Sequence, residues 1–263
     1  MQRNWNLIKT DDSSFDAGVG FRAAVGLICL SVDRASVADL RNWLSFVEGV
    51  EMLVTRVPMD KVADAASLAA MGDYLTKAAQ LLASSGRLDA MAFSCTSGTA
   101  AIGIERVHEA LSAAQPGIPV VTPIEAAAKG LKALEARRIS ILAPYHQEAA
   151  DLVADHLVAK GFALDRCSTF DLDGDRQMNR LSPASLKAAA RDAIHPQSDA
   201  LFISCTGLRT AGIVGELEAA LGVPVVTSNQ ATAWDALSNA RVGNLSRGEG
   251  RLFGQAHSAK ISG

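Results

Sequence analysis

Two segments of this chain repeat one short pattern, and the repeat limits the folds that are open to it. The first reads Asp-Ala-Met-Ala-Phe-Ser-Cys-Thr over 89–96, and the second reads Asp-Ala-Leu-Phe-Ile-Ser-Cys-Thr over 199–206. In each segment a short apolar run ends at Ser-Cys-Thr, and a helix-like stretch follows. The two cysteines, Cys95 and Cys205, are 110 residues apart. A duplication of this kind predicts two similar halves related by a pseudo-twofold axis.

Apolar runs alternate with helical patterns along the whole chain. They lie at 23–30, 51–57, 89–94, 118–121, 138–142, 162–170 and 199–204. The runs show little polar alternation, which is typical of parallel strands covered on both faces. The sequence therefore predicts an α/β fold with two parallel sheets. We expect residues 1–122 together with 226–263 to form one half, and residues 123–225 to form the other.

The polar residues that follow these strands supply the candidate site. Ligands of open α/β sheets bind at the carboxyl ends of the strands. Both cysteines fall at such ends. So do the residues that we predict to surround a ligand: Ser31, Asp33, Thr96, Ser97, Thr122, Tyr145, Thr206 and Gly207. Because they share one kind of edge, the sequence predicts a single site between the halves.

Paired thiols at such an edge are suited to proton transfer or nucleophilic addition without a cofactor. Unpaired backbone N–H groups at the start of a helix lower the pKa of a thiol. We therefore expect at least one of Cys95 and Cys205 to have a lowered pKa. Small polar residues around them would hold a carboxylate through backbone N–H groups, and the phenol of Tyr145 would donate to a developing oxyanion.

Composition excludes several other functions. The net charge is -3, the pI is about 6.0 and aromatic residues make up 5% of the chain, which disfavours a nucleic-acid partner. No apolar run predicts a signal peptide or a membrane span, so we expect a cytoplasmic protein without a membrane partner. No cysteine pair predicts a metal site. The acidic run of Asp171, Asp173 and Asp175 lacks the glutamate of a calcium loop and predicts a solvated loop.

The motifs around these residues resemble those of the Asp/Glu racemase superfamily, in the branch of the maleate cis-trans isomerases and arylmalonate decarboxylases. The nearest likeness is to the ectoine-utilisation proteins of that branch. Four motifs carry it: Phe-Ser-Cys95-Thr-Ser-Gly-Thr, Leu-Ala-Pro-Tyr145, Ser-Cys205-Thr-Gly-Leu-Arg and Pro-Val-Val-Thr-Ser-Asn229-Gln-Ala. The resemblance extends over roughly residues 22–242.

The resemblance implies two Rossmann-like halves with the active site in the cleft between them. It implies a homo-oligomer that needs no cofactor and acts on a small carboxylate. It also implies that Cys95 and Cys205 flank the substrate. In racemases of the superfamily one thiolate removes the α-proton and the other thiol protonates the opposite face. In maleate isomerases the first cysteine is thought to add to the double bond. Tyr145 would assist at a substrate carboxylate.

Two alternatives stay open. Arylmalonate decarboxylases keep only the cysteine of the second half, so a decarboxylase or lyase would depend on Cys205 alone. A non-catalytic binding protein would need neither thiol. Maleate isomerases carry an asparagine where this chain has Asp33, and an anionic side chain there would repel a second carboxylate. That difference favours an amino-acid-like or ectoine-derived substrate over maleate.

Overall fold

The computed structural model describes residues 6–10, 13–59, 64–243, 245 and 249–255. Its strands are β1 Ala23–Leu30, β2 Val50–Val57, β3 Ala90–Phe93, β4 Val120–Val121, β5 Arg138–Ala143, β6 Ala163–Thr169, β7 Ala200–Ile203 and β8 Val225–Thr227. Its helices are α1 Ser36–Leu44, α2 Ala65–Ala70, α3 Gly72–Ala83, α4 Thr96–Ile102, α5 Ile104–Ser112, α6 Pro123–Ala133, α7 Gln147–Ala159, α8 Asp175–Met178, α9 Pro183–Ala193, α10 Val214–Leu221 and α11 Ser228–Asn239. A 3₁₀ helix covers Arg251–Gly254.

The strands form two parallel four-stranded sheets with the same topology. The order is β2-β1-β3-β4 in the first and β6-β5-β7-β8 in the second. Ile28 pairs with Phe93 in the first sheet, and Leu142 pairs with Ile203 in the second. Since Phe93 and Ile203 each stand two residues before a cysteine, the two halves superpose strand for strand. The predicted fold class, a duplicated parallel α/β protein, is confirmed.

The central strands are buried and the edge strands are not. Every residue of β3 and β7 is buried, whereas β2 and β6 are mostly half-buried or exposed. The uninterrupted apolar runs of the central strands suit coverage by helices on both faces. Burial of a large aliphatic or aromatic side chain contributes about 1.5–3 kcal/mol, so these strands anchor each half.

Helices differ from the sequence-based expectation where small or polar residues follow a strand. The helix expected after Cys95 is divided at Gly103, whose φ of +92° belongs to the left-handed region. The helix expected at residue 209 begins only at Val214. The polar loop after β6 contains the short helix α8, which the sequence did not predict. Of the three differences, α8 contributes residues to the wall of the candidate site.

The halves are joined through α6 and α11. The two helices pack against each other, and α11 also contacts α1, β3 and β4 of the first sheet as well as β8 of the second. The predicted division of the chain at residues 122 and 226 stays a prediction, because these helices belong to the packing of both halves. In the part of the chain described, no helix combines the length and the apolar character that crossing a membrane requires.

Candidate active site

The first thiol stands at the junction of β3 and α4. Cys95 is the N-cap of α4, and its Sγ accepts a hydrogen bond from the backbone N–H of Gly98 at 3.3 Å. A Cβ at Gly98 would stand 2.7 Å from that sulfur and 2.5 Å from Met71 Cε, so only glycine fits. Thr99 Oγ1 donates to the Cys95 carbonyl at 2.6 Å. The helix start therefore fixes the direction of the thiol.

The second thiol stands in a turn instead of a helix cap. Cys205 follows β7 with a φ of +108°, a conformation that non-glycine residues rarely adopt. Its Sγ accepts from the backbone N–H of Gly207 at 3.2 Å, and its own N–H donates to Ser228 Oγ at 3.0 Å. A strained backbone held by its surroundings is typical of functional positions.

One small cavity between the halves contains both thiols. Its polar and titratable wall residues are Cys95, Thr96, Ser97, Tyr145, Asp175, Cys205 and Thr206, and its apolar ones are Leu30, Met59, Leu68 and Met178. The Tyr145 hydroxyl lies 3.2 Å from the Oγ of Ser204, the residue before Cys205. A substrate in this cavity would therefore touch a sulfur from each half and a phenol.

Hydrogen bonds between the halves fix the spacing of the two thiol turns. Thr206 Oγ1 donates to the Ser94 carbonyl at 3.0 Å, and Thr96 Oγ1 lies 2.8 Å from Ser228 Oγ. Because Ser228 also accepts from the Cys205 N–H, one hydroxyl at the start of α11 touches both turns.

The buried carboxylate of Asp39 in α1 holds the second turn from the opposite half. It accepts from the N–H and the hydroxyl of Thr210 at 3.0 and 2.8 Å, from Ala211 N–H at 2.9 Å and from Asn229 Nδ2 at 3.0 Å. Four donors on one buried carboxylate make a satisfied network, which is the condition for a buried charge to be tolerated.

The other predicted site residues lie around the cavity or away from it. Gly207 is buried beside Cys205, and a Cβ there would meet its Sγ at 3.4 Å. An outer hollow, lined by 31–32, 34, 173–177 and 179–180, adjoins the cavity at Asp175. Ser31 is exposed in this outer hollow, and its Oγ accepts a hydrogen bond from Met59 N–H at 3.1 Å. Asp33 is buried and caps the start of α1, accepting from Ala35 and Ser36. Thr122 is fully buried, and its hydroxyl is outside the cavity wall.

Sequence reasoning missed three residues that the structure brings to the site. Asp175 was predicted to lie in a solvated loop, but it begins α8 and forms part of the cavity wall. Its neighbours Asp171 and Asp173 are exposed, as expected, and pair with His146. Ser228 and Asp39 are the other two. The sequence does contain a signal for Asp175, because it follows the carboxyl end of β6, and ligands of open α/β sheets bind at such strand ends.

Both thiols are harder to ionise than a free cysteine. Burial, and then the nearby Asp175 carboxyl, raises the pKa of Cys95 to about 12 and that of Cys205 well above its ordinary value. The N–H groups of Gly98 and Gly207 act in the opposite direction but are outweighed. The predicted lowering of a thiol pKa is therefore wrong. Burial outweighs the two hydrogen bonds.

Other features do not compete with this cavity. A larger hollow at the amino ends of β3 and β4, lined by 83, 86–89, 114–119 and 239–241, lies at the opposite edge of the first sheet from the thiols. Within the described ranges no group of three or more His, Cys, Asp or Glu side chains is arranged to hold a metal ion.

Two parallel α/β halves that share a two-cysteine cavity place the chain in the Asp/Glu racemase superfamily, in the branch of the maleate isomerases and arylmalonate decarboxylases. Within that branch, the family model of arylmalonate decarboxylase matches residues 49–253, and the chain belongs to this family.

Relatives of this chain include proteins named for two different activities. Arylmalonate decarboxylase of Bordetella bronchiseptica is 34% identical over 143 residues, covering 53% of this chain and 60% of that protein. Maleate isomerase of Pseudomonas putida is 26% identical over 182 residues, covering 66% and 73%. The structure of Nocardia farcinica maleate cis-trans isomerase with a covalently bound succinylcysteine intermediate superposes with a TM-score of 0.81 at 23% identity, over 88% of this chain and 98% of that one. The match to the decarboxylase thus spans less than two thirds of its length.

Proposed function

We propose that this protein is a cofactor-independent isomerase or racemase that uses two cysteines to act on a small carboxylate. The observation that carries the proposal is the placement of Cys95 and Cys205, from equivalent strand ends of the two halves, in the wall of one cavity. A decarboxylase with a single thiol would need only one of these positions. The relatives named maleate isomerase support the isomerase class.

The roles of the residues follow from this geometry. One sulfur, as thiolate, would attack a carbon of the substrate or take a proton from it, and the other, as thiol, would act on the opposite face. The phenol of Tyr145 stands in the same cavity wall as Cys205 and would donate to a substrate oxygen as negative charge develops there. Thr96, Ser97 and Thr206 would position a carboxylate.

The raised thiol pKa values set a requirement on this mechanism. A buried thiol that stays protonated at neutral pH is a poor base and a poor nucleophile. Substrate binding must therefore lower the cost of forming the thiolate, or the active fraction of the enzyme is small. The burial of both sulfurs has the compensating effect of protecting them from oxidation, because oxidation follows exposure and thiolate character.

Proton NMR in deuterium oxide tests the proposal. A panel of maleate, aspartate, glutamate, a hydantoin, an arylmalonate and N-acetyl-diaminobutyrate is incubated with the protein and with each Cys→Ser variant. We expect loss of an α-proton signal or conversion of a double bond in at least one compound, and no change with either variant. Turnover that survives in both single variants would contradict a mechanism based on the two thiols.

A decarboxylase is the second candidate, because the family and the 34% identical relative bear that name. It predicts that arylmalonate loses a carboxyl group in the same panel and that the reaction needs Cys205 but not Cys95. The Cys95→Ser variant separates the two candidates directly, since it is inactive as an isomerase and active as a decarboxylase.

A further inference from the structure

A carboxyl group stands beside the thiols in the cavity wall. Asp175 begins α8, and its Oδ1 lies within 3.3 Å of the point that a Cβ of Gly207 would occupy. Cys205 Sγ lies 3.4 Å from the same point. The carboxyl oxygen and the second sulfur therefore face the same point beside Gly207, where Asn179 Oδ1 also lies at 3.3 Å.

A second carboxyl group lies close behind the first. Asp33 is 2% exposed, and its Oδ1 accepts from the N–H groups of Ala35 and Ser36, whereas the buried Oδ2 has no hydrogen-bond partner among the described residues. Burial, and then the charge of Asp33, raises the pKa of Asp175 to about 6. Both carboxyl groups also act electrostatically on Cys95.

Positive charge is absent from the described part of the cavity wall itself. Among the described residues of its wall there is no lysine, arginine or histidine. Arg56 is near Asp33 but donates to the backbone carbonyls of Leu30 and Asp33. Asp175 also lines the outer hollow, together with Arg34, Arg176 and Arg180. None of these arginines is among the groups that shift the pKa of Asp175, so they do not offset its charge on the cavity side.

We propose that Asp175 is a specificity-determining residue, which selects a substrate bearing a cationic amino group in addition to its carboxylate. The inference rests on the proposed function, because it places that substrate between the two thiols. An ammonium group beside Asp175 would offset a buried negative charge. It would also weaken the field that opposes ionisation of the thiols, and so supply the activation that the resting site lacks.

A dicarboxylate substrate fits this wall poorly. Its second carboxylate would add a further negative charge beside Asp175 and Asp33, and like charges at close range in a partly buried site repel strongly. It would be tolerated if Asp175 bound a proton and donated it in a hydrogen bond. The two arrangements predict opposite effects of replacing Asp175 with asparagine, which keeps the shape and removes the charge.

Isothermal titration calorimetry with three four-carbon acids tests the inference. Butanoate, 4-aminobutanoate and succinate share one carboxylate and differ at the far end, which is a methyl, an ammonium-bearing or a carboxylate carbon. We expect the unaltered protein to bind 4-aminobutanoate about tenfold or more tighter than butanoate, and succinate more weakly than either. In Asp175→Asn the preference for 4-aminobutanoate should disappear, and succinate should gain about tenfold.

Asp173→Asn is the matched control. Asp173 lies two residues before Asp175, its side chain is exposed, and the substitution removes the same charge. This variant should keep the preference of the unaltered protein. If 4-aminobutanoate binds no better than butanoate to the unaltered protein, or if Asp175→Asn leaves the ratio of the two affinities unchanged, the inference is overturned. Binding needs no turnover, so these results stand apart from the proposed function. Turnover lost in the cysteine variants, but with dicarboxylates as the preferred substrates, would keep the function and remove only the inference.

Discussion

The two thiol turns of this protein have nearly the same sequence and different backbones. Cys95 is extended, with φ of -152° and ψ of 113°, and caps α4 directly. Cys205 has a φ of +108°, and α10 begins only nine residues later, at Val214. A repeated sequence therefore does not impose a repeated turn. The contacts that hold each turn decide its conformation.

The anchoring contacts differ in the same sense. The conformation of Cys95 in the first turn is held from within, by the Gly98 N–H on the sulfur and the Thr99 hydroxyl on the Cys95 carbonyl, and Thr96 adds an outside contact with Ser228. The second is held from elsewhere in the fold, by Ser228 at Cys205 and by Asp39 at residues 210–211. The strained turn thus depends on contacts from the opposite half of the molecule, so its geometry is set by the packing of the two halves.

The surroundings of the two sulfurs are unequal as well. By strand register Ser31 is the counterpart of Tyr145, so a phenol stands beside the second thiol and an exposed serine occupies the matching place in the first half. The hydroxyl of Ser204 has Tyr145 as its partner, whereas the hydroxyl of its counterpart Ser94 is buried without a partner among the described residues. We infer that the two thiols perform different steps.

The largest expected effect follows from removing each sulfur. Cys95→Ser and Cys205→Ser should each lower kcat at least about 10³-fold, since a serine hydroxyl is a far weaker base and nucleophile than a thiolate. The measurement is the initial rate on the substrate found by NMR. Cys167→Ser on the exposed face of β6 is the control and should retain full activity. A Cys95→Ser variant within tenfold of the unaltered rate would show that only the second turn is catalytic.

The dependence of the second turn on Asp39 is the next comparison. Asp39→Asn replaces one carboxylate oxygen, which accepts hydrogen bonds, with an amide N–H₂ group, which donates them, so buried donors lose their acceptor. We expect the substitution to lower the free energy of unfolding by about 2–4 kcal/mol. Urea unfolding measures this cost. Asp73→Asn, which breaks only an exposed ion pair with Arg106, should cost less than about 1 kcal/mol.

Hydrogen exchange locates the effect of the same variant. In Asp39→Asn the amides of Thr210 and Ala211 should exchange faster, while the amide of Thr99 in the first turn keeps its protection. Equal loosening of both turns would contradict the view that the first is held from within.

Asp175 gives a prediction about pH. Its pKa is raised to about 6, so the ionised form is disfavoured in the folded protein. The cost of that carboxyl is absent below about pH 4, where it is protonated in both states, and complete above about pH 6. Asp175→Asn should therefore stabilise the protein by about 1–3 kcal/mol at pH 8 and leave it unchanged near pH 4. Urea unfolding across this range checks the sign, and a gain independent of pH would exclude a charge effect.

Local pattern was sufficient to predict the sheets and the position of both thiols. Buried apolar runs such as 138–142 and 199–204 marked the central strands, and the rule of strand ends brought Cys95, Cys205 and Tyr145 to one edge. These features depend on residues that are close in sequence. The parallel arrangement of the strands could likewise be predicted, because strands that alternate with helices along the chain form parallel sheets.

What the sequence did not predict depends on contacts between distant residues. Asp175 belongs to an acidic run that is otherwise exposed, and its place in the cavity wall depends on Gly207, which is distant in sequence. The pKa of a thiol follows from how deeply it is buried and which charges face it, and neither is written in the residues around Cys95 or Cys205. Asp39 and Asn229 are 190 residues apart, and only the folded chain brings them into hydrogen-bond contact.

The smallest effect tests the backbone difference itself. At Cys205 the positive φ suits glycine, so Cys205→Gly should be more stable than Cys205→Ala by about 1 kcal/mol. At Cys95 the backbone is extended, and the order should reverse, with alanine more stable by about 0.5–1 kcal/mol. Using both substitutions at each site cancels the loss of the sulfur, because all four variants lack it. Thermal unfolding of the four variants measures the two differences, and the same order at both sites would mean that the two turns share one backbone conformation in solution.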